Sequence, residues 1–206
     1  MKIKLTMVPL LIACCSNSFA VVKVNAASLK PSNIFHSQNP YQQYQLWVNQ
    51  MKKIPSYERY EDLAALGTVT QKNEPDVRSI EIYPEKNGFV FYTGKESVKA
   101  KEIQHNPHVF FTRMFFDGDD LGCKQIQVAG VVDSVKPLTT LEITEANNQK
   151  VLRHWQAYHI KPNFFQFSFG RTRVNGSRIF ERISYRLVNN HWVTHKDHYY
   201  GYKVKV

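Results

Sequence analysis

The densest concentration of side chains able to do chemistry lies towards the C-terminal end. Residues 161–206 hold nine basic groups (Lys161, Arg171, Arg173, Arg178, Arg182, Arg186, Lys196, Lys203, Lys205) against Glu181 and Asp197, a net of +7. Residues 21–160 are nearly balanced, with 16 basic and 15 acidic groups. An excess of this kind suits an anionic partner: a phosphate-bearing ligand, nucleic acid or a membrane surface. Aromatic residues are interleaved with these charges (Phe164, Phe165, Phe167, Phe169, Tyr199, Tyr200, Tyr202), as in surfaces that stack bases. Phe165, Phe167 and Phe169 alternate strictly, which is what the core face of a strand does, so no nucleic-acid partner is expected.

Metal and thiol chemistry have less support. His191, His195 and His198 are spaced compatibly with one helical face but stand among strand-like residues without a recurring carboxylate, so surface histidines are expected rather than a zinc site. Two of the three cysteines fall within the first twenty residues, leaving Cys123 alone and without an internal disulfide partner.

The elements that must position these groups begin after residue 20. Lys2 and Lys4 open the chain, an apolar run from Leu5 to Cys15 follows, and Ser18-Phe19-Ala20 offers small residues where a signal peptidase reads. Residues 1–20 therefore read as a secretory signal peptide, too short to span a bilayer as a stable helix. Leu11-Ile12-Ala13-Cys14 also fits a bacterial lipobox, which would make Cys14 a lipid anchor. An exported protein, periplasmic or secreted, argues further against nucleic acid. Removal of the signal lowers the net charge of +10 to nearer +8.

Residues 21–39 read as a linker or extended arm, and residues 40–206 as one domain; 43% hydrophobic content supports a proper core. Tyr44, Trp47, Val48 and Met51 fall at i, i+3, i+4, i+7 and predict a short amphipathic helix ending near Pro55. Strands are expected over Leu66–Thr70, Val77–Tyr83, Phe89–Thr93, His108–Phe116 and Gln125–Val135, with turns at Lys72–Pro75, Pro84–Gly88 and Asp117–Gly122. Ser97 is placed to cap a helix over Val98–Ile103, stopped by Asn106-Pro107. Gly130, inside a strand, marks a bulge or close backbone approach. Residues 138–159 are expected to be helix-rich, and the last third returns to strands, with alternation over Ile179–Leu187. Six or seven short strands with two or three helices give a mainly β (α+β) class: a split or nearly closed antiparallel β-barrel with a few flanking helices.

Several segments form an ordered series: Arg78-Ser79-Ile80-Glu81-Ile82, Gly88 to Gly94 with Tyr92-Thr93, Ser97-Val98-Lys99-Ala100, Asn106-Pro107 and Gln125 to Gly130. Arg178-Ile179-Phe180-Glu181-Arg182, with Tyr185 and Trp192, closes it. The series resembles the pyridoxamine 5'-phosphate oxidase family of FMN-binding split β-barrels over roughly residues 60–206. The resemblance implies FMN as cofactor, with Arg78, Tyr92, Thr93 and Lys99 lining its phosphate and ribityl side and Gln125 contacting the flavin. Arg182 would reach the flavin from a partner subunit, in a homodimer with flavin at the interface, and Arg178 would orient a small-molecule anionic substrate. A phosphate dianion needs fixed cations and donors, which Arg78, Lys99 and a helix start can supply.

The sequence departs from the family pattern on the substrate side. Tyr83 stands where a substrate-contacting Lys is usual, Phe180 replaces a substrate-side His, Ser168 stands near an expected Trp and Val98 replaces a basic residue. The segment 136–162 is also shorter. Each lost cation removes a charge-assisted hydrogen bond of roughly 1.5–3 kcal/mol. The implied function is an FMN-dependent oxidoreductase of unassigned substrate; the alternative is an exported barrel that binds a ligand without catalysis.

Overall fold

The computed structural model describes residues 35, 37–53, 62–117, 122–137, 154–172 and 178–199. Residues 1–34 and 200–206 lie outside the described residues, and with them the expected signal peptide and most of the expected arm.

Helix α1 (Pro40–Met51) starts where local chemistry dictates: Pro40 occupies the first turn, and the Asn39 side chain accepts from the backbone N–H groups of Tyr41 and Gln42. The strands are β1 (Leu63–Val69), β2 (Pro75–Glu81), β3 (Tyr83–Glu85), β4 (Gly88–Gly94), β5 (His108–Asp117), β6 (Gly122–Pro137), β7 (Trp155–Thr172), β8 (Arg178–Val188) and β9 (His191–Tyr199). Helix α2 (Val98–His105) lies between β4 and β5, with the Ser97 hydroxyl accepting from the Ala100 N–H.

All pairings are antiparallel, in the order β2-β1-β5-β6-β7-β4-β3, with β8 and β9 continuing from the far half of β7. Strand β7 is thus shared: residues 155–160 pair with β4, residues 164–172 with β8, and its other edge follows β6. This is a mainly β, split antiparallel barrel flanked by two described helices.

Two bulges let β6 bend, at Ala129/Gly130 and Val132/Ser134. Gly130 is required at the first, because a Cβ there would stand 2.6 Å from the Lys161 carbonyl oxygen. The core is aromatic. Trp47 packs edge-on to Phe167 at 5.3 Å and Phe89 to Phe111 at 4.9 Å, while Phe165, Phe167 and Phe169 are buried as their alternation requires. Helix α1 closes the barrel with Tyr44, Trp47 and Met51. It is tied to the far end of the chain by Tyr185, whose hydroxyl donates to the Ser37 carbonyl at 2.7 Å.

Three expectations are corrected. Among the described residues nine strands form, not six or seven, and β6 and β7 are long, at 16 and 18 residues. Residues 155–159, expected within a helix-rich stretch, are strand because β4 and β6 pair them from both sides; 138–153 lie outside the described residues. The turn expected over Pro84–Gly88 narrows to Lys86-Asn87, with Pro84 and Glu85 paired to β4.

Candidate functional site

Three elements converge on Arg78. It lies on the edge strand β2 opposite Leu66, so its side chain shares the inward face with Thr68 of β1, over which α2 packs. The Arg78 Nη1 group donates to the Thr68 hydroxyl, and Nη2 donates to Asp76 Oδ2 and, at 2.8 Å, to Glu102 Oε2. Glu102 is almost fully buried on α2 and also accepts from the Thr68 hydroxyl at 2.5 Å. A buried carboxylate needs such partners to remain charged.

Lys99, one turn before Glu102, donates from Nζ to the Thr93 hydroxyl at 3.0 Å, and Thr93 Oγ1 lies 3.3 Å from Ser97 Oγ. Burial lowers the Lys99 pKa from the ordinary lysine value; the Arg78 charge lowers it further, and Glu102 opposes both. Two cations within electrostatic range, three hydroxyls and the first turn of a helix make a set of donors suited to a phosphate monoester. The site is therefore built from β1, β2, β4 and α2 of a single chain.

Tyr92 does not join this cluster through its side chain. Successive strand residues face opposite ways, and Thr93 shares the face of buried Phe91, so Tyr92 turns outward with its ring 5.9 Å from Tyr83. Tyr83 donates to Glu81 Oε2 at 2.7 Å; burial first, and then Glu81, raise its pKa, so it is a neutral phenol.

Gln125 and Arg182 lie on the other face of the sheet. Met114, Gln125, Ser168, Arg182 and Asp197 form one row of cross-strand neighbours from β5 to β9. The residues flanking Gln125 and Arg182 along β6 and β8 (Lys124, Ile126, Glu181, Ile183) are buried, so the row faces outward. Gln125 Nε2 donates to Thr112 Oγ1 at 3.2 Å. Arg182 Nε donates to Asp197 Oδ2 at 3.1 Å, and the other Asp197 oxygen lies 2.8 Å from His195 Nε2. Exposed Val77, Phe110, Met114 and Val193 stand on the same face. Within one chain, Arg78, Thr93 and Lys99 are brought together, while Gln125 and Arg182 are held apart from them. Arg178 is on β8 opposite Thr172.

Sequence reasoning missed Thr68, Asp76, Ser97 as more than a cap, and Glu102. No periodic signal marks Glu102: it stands one residue before Ile103 and two after Ala100, off the i, i+3 pair by which a buried helix face is recognised, and is buried only by the tertiary packing of α2. Of the groups weighed for other chemistry, Cys123 is half-buried and its thiol is pushed up by burial, which makes it a poor nucleophile. Among the described residues no group of three or more His, Cys, Asp or Glu could hold a metal ion, and no helix is long and apolar enough to cross a membrane. Clefts among the described residues include one of about 710 Å³ between α1 and the β3–β4 turn, one of about 690 Å³ between that turn and β6–β7, and one of about 410 Å³ between α2 and β6–β7.

Residues 51–169 match the family profile described as pyridoxamine 5'-phosphate oxidase. A pyridoxine/pyridoxamine 5'-phosphate oxidase of Crocosphaera subtropica is 25% identical over 187 residues, covering 72% of this chain and 83% of that protein. Pyridoxine/pyridoxamine 5'-phosphate oxidase 2 of Hydrogenovibrio crunogenus is 28% identical over 193 residues, covering 75% and 86%. Among solved structures, PhzG from Burkholderia lata, in complex with tetrahydrophenazine-1-carboxylic acid, superposes with a TM-score of 0.59 at 16% identity, over 86% of this chain and 99% of that one. A pyridoxamine 5'-phosphate oxidase-related, FMN binding protein from Nostoc punctiforme gives 0.54 at 14% identity, over 77% and 97%. At these identities the structural likeness is one of fold.

Proposed function

The chain belongs to the pyridoxamine 5'-phosphate oxidase family, and on that footing we propose that it is an FMN-binding flavoprotein, a flavin-dependent oxidoreductase of unassigned substrate. One observation carries the reading: Arg78, Thr93, Ser97 and Lys99 gather at the start of α2 as a ready set of phosphate donors. When bound, the flavin supplies hydride acceptance and onward transfer of electrons to oxygen or another acceptor. The chain's own part is placement: Arg78 and Lys99 hold the phosphate, and the first-turn N–H groups of α2 add partial positive charge.

The ring-side residues Gln125 and Arg182 would come from a second copy. They cannot reach the phosphate cluster of their own chain across the sheet, whereas a homodimer packed on the outer face would cover Val77, Phe110, Met114 and Val193 and bring the two half-sites together. Arg178, at the start of β8, would orient an anionic substrate beside it. Export to the periplasm or beyond, with residues 1–20 removed or Cys14 lipidated, completes the reading.

A second reading, an exported binding module without catalysis, is favoured by Tyr83 and Phe180. The first spends its hydroxyl on Glu81, and the second presents an apolar ring, 41% exposed, where the family pattern has polar substrate contacts. Reconstitution separates the readings. Purified mature protein mixed with excess FMN and desalted should retain one flavin per chain by absorbance. Retention without turnover on any amine or alcohol tested would favour the module, and no retention would overturn flavin binding altogether.

A further inference from the structure

Two carboxylates meet one guanidinium in the phosphate cluster, and they are not equivalent. The Glu102 side chain is 6% exposed; it is fixed on α2 and holds both Thr68 and Arg78 Nη2. The Asp76 side chain is 42% exposed, sits two residues from Arg78 on the edge strand, and meets the same Nη2 group. The formal charges of Arg78 and Lys99 are thereby cancelled by those of Asp76 and Glu102. The neighbouring Lys101 and Glu96, 3.9 Å apart and exposed, compensate each other and leave this balance unchanged.

A phosphate monoester carries about −1.5 to −2 near neutral pH. Entering a balanced cluster, it gains full attraction from Arg78 only if one acid withdraws. Burial decides which. Withdrawing Glu102 would strip a buried hydroxyl and a guanidinium of their partner and disturb α2, whereas Asp76 can rotate into water from an edge strand.

We propose that Asp76 is an internal stand-in for the ligand's phosphate, neutralising Arg78 in the ligand-free protein and surrendering it when the phosphate arrives. Binding at this cluster is then an exchange of one anion for another. Glu102 is the positioning residue that keeps Arg78 aimed throughout, and Asp76 sets the threshold an incoming anion must exceed. A phosphate group, with more charge and three oxygens, clears that threshold; a single carboxylate only matches the one already present. This inference rests on the flavin reading for the identity of the ligand, though not for the exchange itself.

Titration of FMN and riboflavin into wild type, Asp76→Asn and Asp76→Ala, followed by flavin fluorescence, tests it. Thermal melts of the same proteins with inorganic phosphate supply a readout independent of flavin. Both substitutions should tighten FMN by about tenfold, the order expected for one half-exposed charge-assisted contact, and leave riboflavin within about twofold. Phosphate should raise the melting temperature of both variants more than that of wild type. FMN affinity that is unchanged or weaker in both variants would overturn the exchange while leaving flavin binding standing. A larger phosphate-induced shift in the variants without FMN binding to any of the three would uphold the exchange and overturn the flavin reading. Identical responses of all three proteins to FMN and to phosphate would overturn the exchange.

Discussion

The cluster under α2 and the row across β5–β9 each present a cation held by a carboxylate, yet they are built on different terms. Arg78 is gripped from three elements of one chain, its Glu102 partner lies beneath the surface, and a helix start completes the donors. Arg182 meets Asp197 on an open sheet face, with both side chains more than a quarter exposed and apolar neighbours bare to solvent. The Arg78 cluster is thus complete within the folded chain, whereas on the proposed reading the contacts of Gln125 and Arg182 need a cover that a single chain does not provide. The two halves should therefore fail separately.

The largest effect is expected from Arg78→Ala. FMN affinity should fall about a hundredfold with riboflavin changed less than about threefold, and unfolding free energy should drop by about 2–4 kcal/mol because Glu102 is left buried without its cation. Flavin-fluorescence titration and urea unfolding measure both; equal losses for the two ligands would break the assignment of Arg78 to the phosphate. Next comes the outer face. Met114→Lys combined with Val193→Lys should halve the sedimenting mass at micromolar concentration and weaken FMN about tenfold, with little change in melting temperature, since both positions are more than half exposed. An unchanged mass would show that this face holds no second copy.

A smaller effect is expected from Lys99→Met, about fivefold on FMN and within about 0.5 kcal/mol on stability, because Lys99 is only half-buried and donates to a neutral hydroxyl rather than to a buried acid. Its pH dependence sharpens the point. The Lys99 pKa lies below the ordinary lysine value, chiefly through burial, so the cation is lost earlier as pH rises. Wild-type FMN affinity should decline through that lowered value, and the Lys99→Met variant should stay flat across it. The smallest change belongs to Asp197→Asn, below about 1 kcal/mol by chemical denaturation, because its pair with Arg182 is solvated.

How much of this could be read from the sequence follows from where each residue faces. Phe165, Phe167 and Phe169 showed themselves because a strand with one buried side alternates, and Ser97 because a cap precedes the turn that it satisfies. Strand β9 showed only as strand-like surroundings of His191, His195 and His198, without bounds. It is an edge strand with most side chains exposed, so Thr194, His195 and Lys196 carry no apolar rhythm, and its existence depends on the Asn189-Asn190 turn, where φ is 48° and 62°. Arg78 and Lys99 were legible only as members of an ordered series. Their partners Thr68, Asp76 and Glu102 were not, because an acid on a short helix looks solvated until tertiary packing places a strand beneath it. The separation of Tyr92 from Thr93 follows from strand period alone and was available from the outset.

The bond between Tyr185 and Ser37 has a consequence for the order of assembly. It joins residues 148 apart, and Thr194 to Gln38, 3.3 Å between hydroxyl and amide, joins residues 156 apart. Helix α1 therefore finds its last anchors only after β8 and β9 exist, and a ribosome will have released most of the chain before the barrel can shut. Such long-range closure belongs to slow folders, on the scale of milliseconds to seconds. A polypeptide that closes late is also one that stays threadable for longer.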